Sequence, residues 1–338
     1  MNILVIFTGG TIGRSEKDGV ISTDSISNIK DARHGYKLIR RYCENIPNSV
    51  SFSALSPYTI LSENLSAKEL NLLISTVKES LSGGFDGIIV THGTDTLQYS
   101  AAALAFALGD TPIPVVLVSA NYPLDDSRSN GSENFEAAVA FIKNAQSGVF
   151  VSYRNTDSEN GCILSSTHLT CHREGDDAVY DLDGDAFAYY SYSDKTIRLN
   201  GKVSTFRADQ KKKAIDFTLC DDPRIAVIES YPCNTYPYDL NKISAIIIRP
   251  YHSATLNTSS ENFIKFCREA TNKNIPMFLT NARSGSVYAS SLGFKANKII
   301  ELVGSTFPSV YIKLWIALSE GKDIVEFMQS PICDEFHK

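Results

Sequence analysis

The sequence predicts an α/β protein with a larger N-terminal domain, its mainly parallel sheet covered by helices, and a smaller C-terminal α/β domain. Three observations predict this. Apolar runs of strand length alternate with helical patterns. Polar loops follow three of those runs, two of them carrying threonine and glycine. The hydrophobic period fades over residues 176–221 and then resumes.

The elements follow in order. Residues 3–7, Ile-Leu-Val-Ile-Phe, read as a buried strand. Leu70, Leu73, Ile74, Val77 and Leu81 recur at helical spacing, and Ser66 with Glu69 fits a capping box at the start of that helix. Residues 87–90 form the next strand, 96–108 an Ala- and Leu-rich helix, 114–118 a strand and 134–144 a helix. Continuous apolar strands between helices indicate parallel pairing with both faces covered. Beyond the faded stretch, strands are expected at 225–228, 245–248 and 277–279, and helices at 261–271 and 310–318. The reading is a catalytic domain over 1–198, a linker over 199–221 and a second domain over 222–338.

The 338 residues carry a net charge of −6, with 43% hydrophobic and 21% charged residues. Nucleic acid demands clustered Lys and Arg, which an acidic chain lacks. The short run Lys211-Lys212-Lys213 reads as a solvated turn. Seven scattered cysteines without a CxxC pair argue against a disulfide framework or zinc site and for a reducing, cytoplasmic setting. The N-terminal apolar run is too short for a signal sequence. No apolar stretch reaches the roughly 18 residues of a membrane span.

In open α/β sheets, ligands meet the loops that leave the carboxyl ends of strands. Residues 8–13, 91–96 and 119–131 occupy such places. The first, Thr8-Gly9-Gly10-Thr11-Ile12-Gly13, fits neither G-x-G-x-x-G nor a P-loop, so nucleotide binding is disfavoured. It offers hydroxyls on glycine turns that allow close backbone approach, although a capped strand-to-loop turn has the same composition. The second, Thr91-His92-Gly93-Thr94-Asp95-Thr96, brings a hydroxyl, a carboxylate and an imidazole together, with Asp95 equally suited to N-cap the following helix. A threonine hydroxyl needs a neighbouring base or charge to act as a nucleophile, and backbone amides of tight turns can serve as oxyanion donors.

Residues 3–13 and 86–97 resemble the two signatures of the bacterial-type asparaginase and glutaminase family, closest to its type I, cytoplasmic branch. Arg128-Ser129-Asn130-Gly131 followed by Asn134, and Ser62-Glu63-Asn64, agree with that resemblance. Arg249-Pro250-Tyr251 and Lys313-Leu314 fit the family's smaller domain more loosely.

The resemblance implies an enzyme of amino-acid metabolism that hydrolyses L-asparagine or a related side-chain amide to the acid and ammonia. Thr11 is the implied nucleophile and Thr94 the second catalytic hydroxyl. Asp95 and Glu63 would meet the substrate's α-ammonium, Ser62 its α-carboxylate, and the Ala120 carbonyl its amide. Two carboxylates answering one cation make electrostatic sense. No metal or organic cofactor is implied. A homodimer or homotetramer is, because in the family a neighbour's C-terminal domain completes the site. Thr11 and Thr94 are expected on adjacent loops facing one pocket.

Two groups of the family pattern are missing. Val20 stands where the family has a loop tyrosine, and no lysine occurs between Lys143 and Lys195 to pair with the second threonine and aspartate. His168 and His172 are the candidates to replace that lysine, with a lysine from a neighbouring copy as the fallback. A histidine would lose its charge near neutral pH, where lysine keeps it. These absences also admit a relative with a different substrate, or a non-catalytic one that binds an amino acid or a partner protein.

Overall fold

The computed structural model describes residues 1–10, 15–17, 20–22, 37–46, 50–144, 146–182, 184–201, 212–283 and 288–336, with only the backbone for 15–17 and 20–22. Two compact units result, Met1–Asp216 and Phe217–Lys338.

The first unit opens with β1 (Asn2–Phe7), followed by β2 (Ser15–Lys17) and β3 (Val20–Ser22), which pair with one another in an antiparallel ribbon. Then come α1 (Lys37–Asn45), β4 (Ser51–Leu55), α2 (Ala67–Ser80), β5 (Gly87–Thr91), α3 (Leu97–Leu108), β6 (Pro114–Val118), α4 (Gly131–Ile142) and β7 (Gly148–Tyr153). Three further strands, β8 (Asn160–Ser165), β9 (Ala188–Ser191) and β10 (Thr196–Leu199), complete an eight-stranded sheet in the order β10-β9-β8-β7-β6-β5-β1-β4. Strands β4, β1, β5, β6 and β7 are parallel; β8, β9 and β10 add antiparallel.

β5, β6 and β7 are buried along their whole length, the pattern of parallel strands with helices on both faces. Ile3, Val5, Ile89, Val116 and Val118 share one apolar cluster with Leu38 and Ile39 of α1 and Phe135 and Val139 of α4. Leu4, Ile6, Ile88, Val90, Val115 and Leu117 alternate with them and are equally buried. α2 and α3 pack on one another, and α3 lies against β7. The Ser66 and Glu69 side chains do meet at the start of α2, but the Ser66 hydroxyl bonds the Glu69 carboxylate instead of a backbone amide. The hydroxyl half of the expected capping box is therefore absent.

The chain runs from β1 to β4 on one side and returns to β5 on the other. β1 and β5 therefore flank the switch point of a doubly wound sheet, where ligands meet the carboxyl ends of the strands.

In the second unit, β11 (Ile225–Glu229), β12 (Ala245–Arg249), β13 (Met277–Ala282) and β14 (Ile299–Val303) form a parallel sheet in chain order. α5 (Glu261–Asn272) and α6 (Ala289–Ala296) pack on one face through Phe263, Phe266 and Phe294. α7 (Phe307–Ser319) and α8 (Ile324–Gln329) cover the other through Val310, Leu314 and Met328. Lys313 of α7 is only 1% exposed; its ammonium donates to the Glu335 carboxylate and the Ser330 carbonyl. Burial pulls the Lys313 pKa down, against the attraction of Glu335. Among the described residues, no helix is long and apolar enough to cross a membrane.

Candidate active site

The two signature loops touch through their backbones. Gly10 has φ +75°, and a Cβ there would collide with the Gly93 nitrogen. A Cβ on Gly93 would in turn strike the Ser62 hydroxyl. Both positions therefore require the absence of a side chain. The Thr8 hydroxyl donates to the Thr91 carbonyl at 2.7 Å and ties the roots of the two loops together. Thr11 lies outside the described residues. Thr94, half-buried, follows directly on the loop that Gly10 touches.

A third segment braces both loops. Ile60 bonds the Thr8 carbonyl through its amide and receives the Gly10 amide on its carbonyl, each at 3.2 Å. Ser62 is buried and donates to the Asp95 carboxylate at 3.0 Å, while the Thr96 hydroxyl donates to the Ser62 carbonyl at 2.9 Å. Asp95 thus presents an exposed carboxylate oriented by a serine 33 residues away. The N-cap position of α3 belongs to Thr96, so the capping role open to Asp95 in the sequence is not the one it takes. Glu63 is exposed beside Ser62.

His92 has a structural setting. It is buried; its Nδ1–H donates to the Gly93 carbonyl and its Nε2 accepts from the Ser100 hydroxyl, both at 2.8 Å. One donor and one acceptor are satisfied by the neutral ring. Burial lowers its pKa, with the Gly93 bond opposing, so the neutral form is favoured.

The loop after β6 joins the same edge. The His92 amide bonds the Val118 carbonyl at 2.9 Å, and the Ser119 hydroxyl donates to the His92 carbonyl at 2.7 Å. Asn134 is fully buried, donates to the Ser119 carbonyl at 2.9 Å and accepts the Arg154 amide at 2.7 Å. Ala120, 1% exposed, is held next to this staple. Lys37 and Arg41 of α1 meet Asp125 in the same loop.

After β8, the Thr170 amide bonds the Tyr180 carbonyl and the Leu182 amide the His168 carbonyl, so the chain doubles back there. The two candidate histidines have different partners. His168 is buried with its Nδ1 3.9 Å from the Asp181 carboxylate. His172 sets Nε2 against the Thr94 carbonyl at 3.0 Å and Nδ1 against the Ala178 carbonyl at 3.1 Å. Carbonyls only accept, so each nitrogen can bond its carbonyl only while it carries a proton. The contact is with the main chain of Thr94, a geometry that sequence spacing does not signal.

A doubly wound sheet thus joins two threonine–glycine loops at its switch point, with an oriented carboxylate beside them. The family described as "Asparaginase, N-terminal" matches residues 2–172, half of the chain, and the protein belongs to the asparaginase family of amidohydrolases. The D subunit of the glutamyl-tRNA(Gln) amidotransferase of Methanosphaera stadtmanae is 25% identical over 340 residues, covering 97% of this chain and 74% of that one. Its counterpart in Methanosarcina mazei is 28% identical over 232 residues, covering 66% of this chain; the match spans about half, 52%, of that relative. The thermostable L-asparaginase from Thermococcus kodakarensis has the same fold, with a TM-score of 0.78 at 21% identity and complete coverage of both chains.

Proposed function

We propose that the protein is a side-chain amidase that hydrolyses L-asparagine or a close amide through Thr11. The observation that carries this reading is the backbone contact of Gly10 with Gly93 at the switch point, with Asp95 oriented by Ser62 beside it. The Thr11 hydroxyl attacks the amide carbon, the C–N bond breaks, ammonia leaves with the proton, and water releases the acid from the ester on Thr11. Thr94 directs that water. Asp95 and Glu63 bind the α-ammonium, Ser62 the α-carboxylate and the Ala120 carbonyl the amide N–H. Of the two histidines, His172 is the better substitute for the family's lysine, because its Nε2 contacts the Thr94 main chain. Lys313 is no candidate for a lysine lent by a neighbour, since it is buried on Glu335. The active form is a cytoplasmic homo-oligomer.

The amidotransferase relatives support a second reading, in which the ammonia passes to a partner protein. A non-catalytic amino-acid binder is the third. The experiment is ammonia release from a panel including L-asparagine and L-glutamine, with wild type beside Thr11→Ala. Release by wild type alone is the expected result. Equal background from both proteins would remove the enzymatic readings, and preference for glutamine would favour the second.

A further inference from the structure

The segment that braces the two loops contains a buried phenol. Tyr58 lies between Ser56, whose hydroxyl bonds the Phe7 carbonyl at 3.2 Å, and Ile60, which bridges Gly9. The Tyr58 phenol is buried against the Thr8 hydroxyl, yet it makes no well-formed hydrogen bond and has no other partner among the described residues. Thr8 gives its own proton to the Thr91 carbonyl, so its oxygen remains able to accept.

A buried hydroxyl without a partner is destabilising. Phenylalanine would fill the same space without that cost, so the ring explains the side chain's bulk and leaves the oxygen unexplained. Such a group in a native fold calls for a functional account or a transient partner. Burial raises the Tyr58 pKa well above the ordinary phenol value, with Thr8 pulling the other way, so the group stays a proton donor. Its place is also specific. Thr8 and Thr91 each stand three residues before a proposed catalytic threonine, Thr11 and Thr94.

We infer that Tyr58 is a positioning residue of the amidase site: its phenol donates to the Thr8 hydroxyl and completes a chain, Tyr58 to Thr8 to the Thr91 carbonyl, that holds Gly9 and Gly10 against the loop after β5. A chain of this kind strengthens each of its bonds. The inference rests on the amidase reading.

The test is Tyr58→Phe, which keeps the ring. kcat for ammonia release falls about 10- to 100-fold, the scale of a slightly misplaced reacting group. KM stays within about twofold, since the substrate-binding groups are untouched. Amide exchange at Gly9 and Gly10 in the free protein quickens. A merely structural tyrosine would instead lower Tm and leave kcat in place. An unchanged kcat, or a loss confined to KM, overturns the inference. Should wild type release no ammonia from any amide, the amidase reading fails and the exchange measurement decides alone. Faster exchange at Gly9 and Gly10 then retains Tyr58 as the brace of that loop, and unchanged exchange overturns it.

Discussion

The two units carry parallel strands of the same apolar character, but the strands are wound differently. In the first sheet β1 is flanked by β4 and β5, so the chain reverses its direction of travel there. In the second, β11 to β14 add one after another on the same side. The signature threonine loops of the first sheet leave their strands at that reversal, the place where doubly wound sheets bind ligands. Loops of the second sheet follow one another in a single sense. Strand composition therefore does not locate the site; strand order does.

The buried polar contacts differ accordingly. In the C-terminal unit they hold the chain end: Lys313 and Glu335 lock residues 330–335 beneath α7. In the N-terminal unit they hold the loops at the switch point. Glu335→Ala leaves Lys313 buried without its counter-charge and is expected to cost about 3–5 kcal/mol. The sole tryptophan, Trp315, lies in α7 and bonds the Cys220 carbonyl at 2.8 Å, so its fluorescence during denaturation reports on this unit. A loss below about 1 kcal/mol, the level of a surface pair, would mean that the pair is no lock.

Gly10→Ala strikes the other region. The positive φ and the collision with Gly93 are expected to cost about 1–3 kcal/mol of stability. Displacement of the two loops should lower ammonia release about a hundredfold. Activity within about twofold of wild type would contradict the joined-loop geometry on which the site depends.

Much of this was legible in the sequence, for a physical reason. Strands buried on both faces read as unbroken apolar runs, and residues 3–7, 87–90 and 114–118 all proved to be strand. The hairpin of β9 and β10 was not legible. Its residues, Ala-Tyr-Tyr-Ser and Thr-Ile-Arg-Leu, lie at a half-exposed edge where period-two alternation is weak. The loops at 8–13 and 91–96 could be found because they follow apolar strands. Ser62 and His172 were named for the same site by the resemblance, but their bonds were not legible: Ser62 meets Asp95 across 33 residues and His172 meets the Thr94 main chain across 78. Asp95 illustrates the limit, since as a local residue it suited an N-cap and only the fold gives it Ser62. Tyr58 belongs to no motif, and only its burial beside Thr8 sets it apart.

In the proposed reaction Thr11 forms an ester with the substrate's acyl group. Hydroxylamine tests it directly by competing with water for that ester. With an amide that yields ammonia, wild type should produce the hydroxamate in proportion to hydroxylamine, and Thr11→Ala should produce neither ammonia nor hydroxamate. Undiminished ammonia release by Thr11→Ala, with no hydroxamate from either protein, would contradict the account.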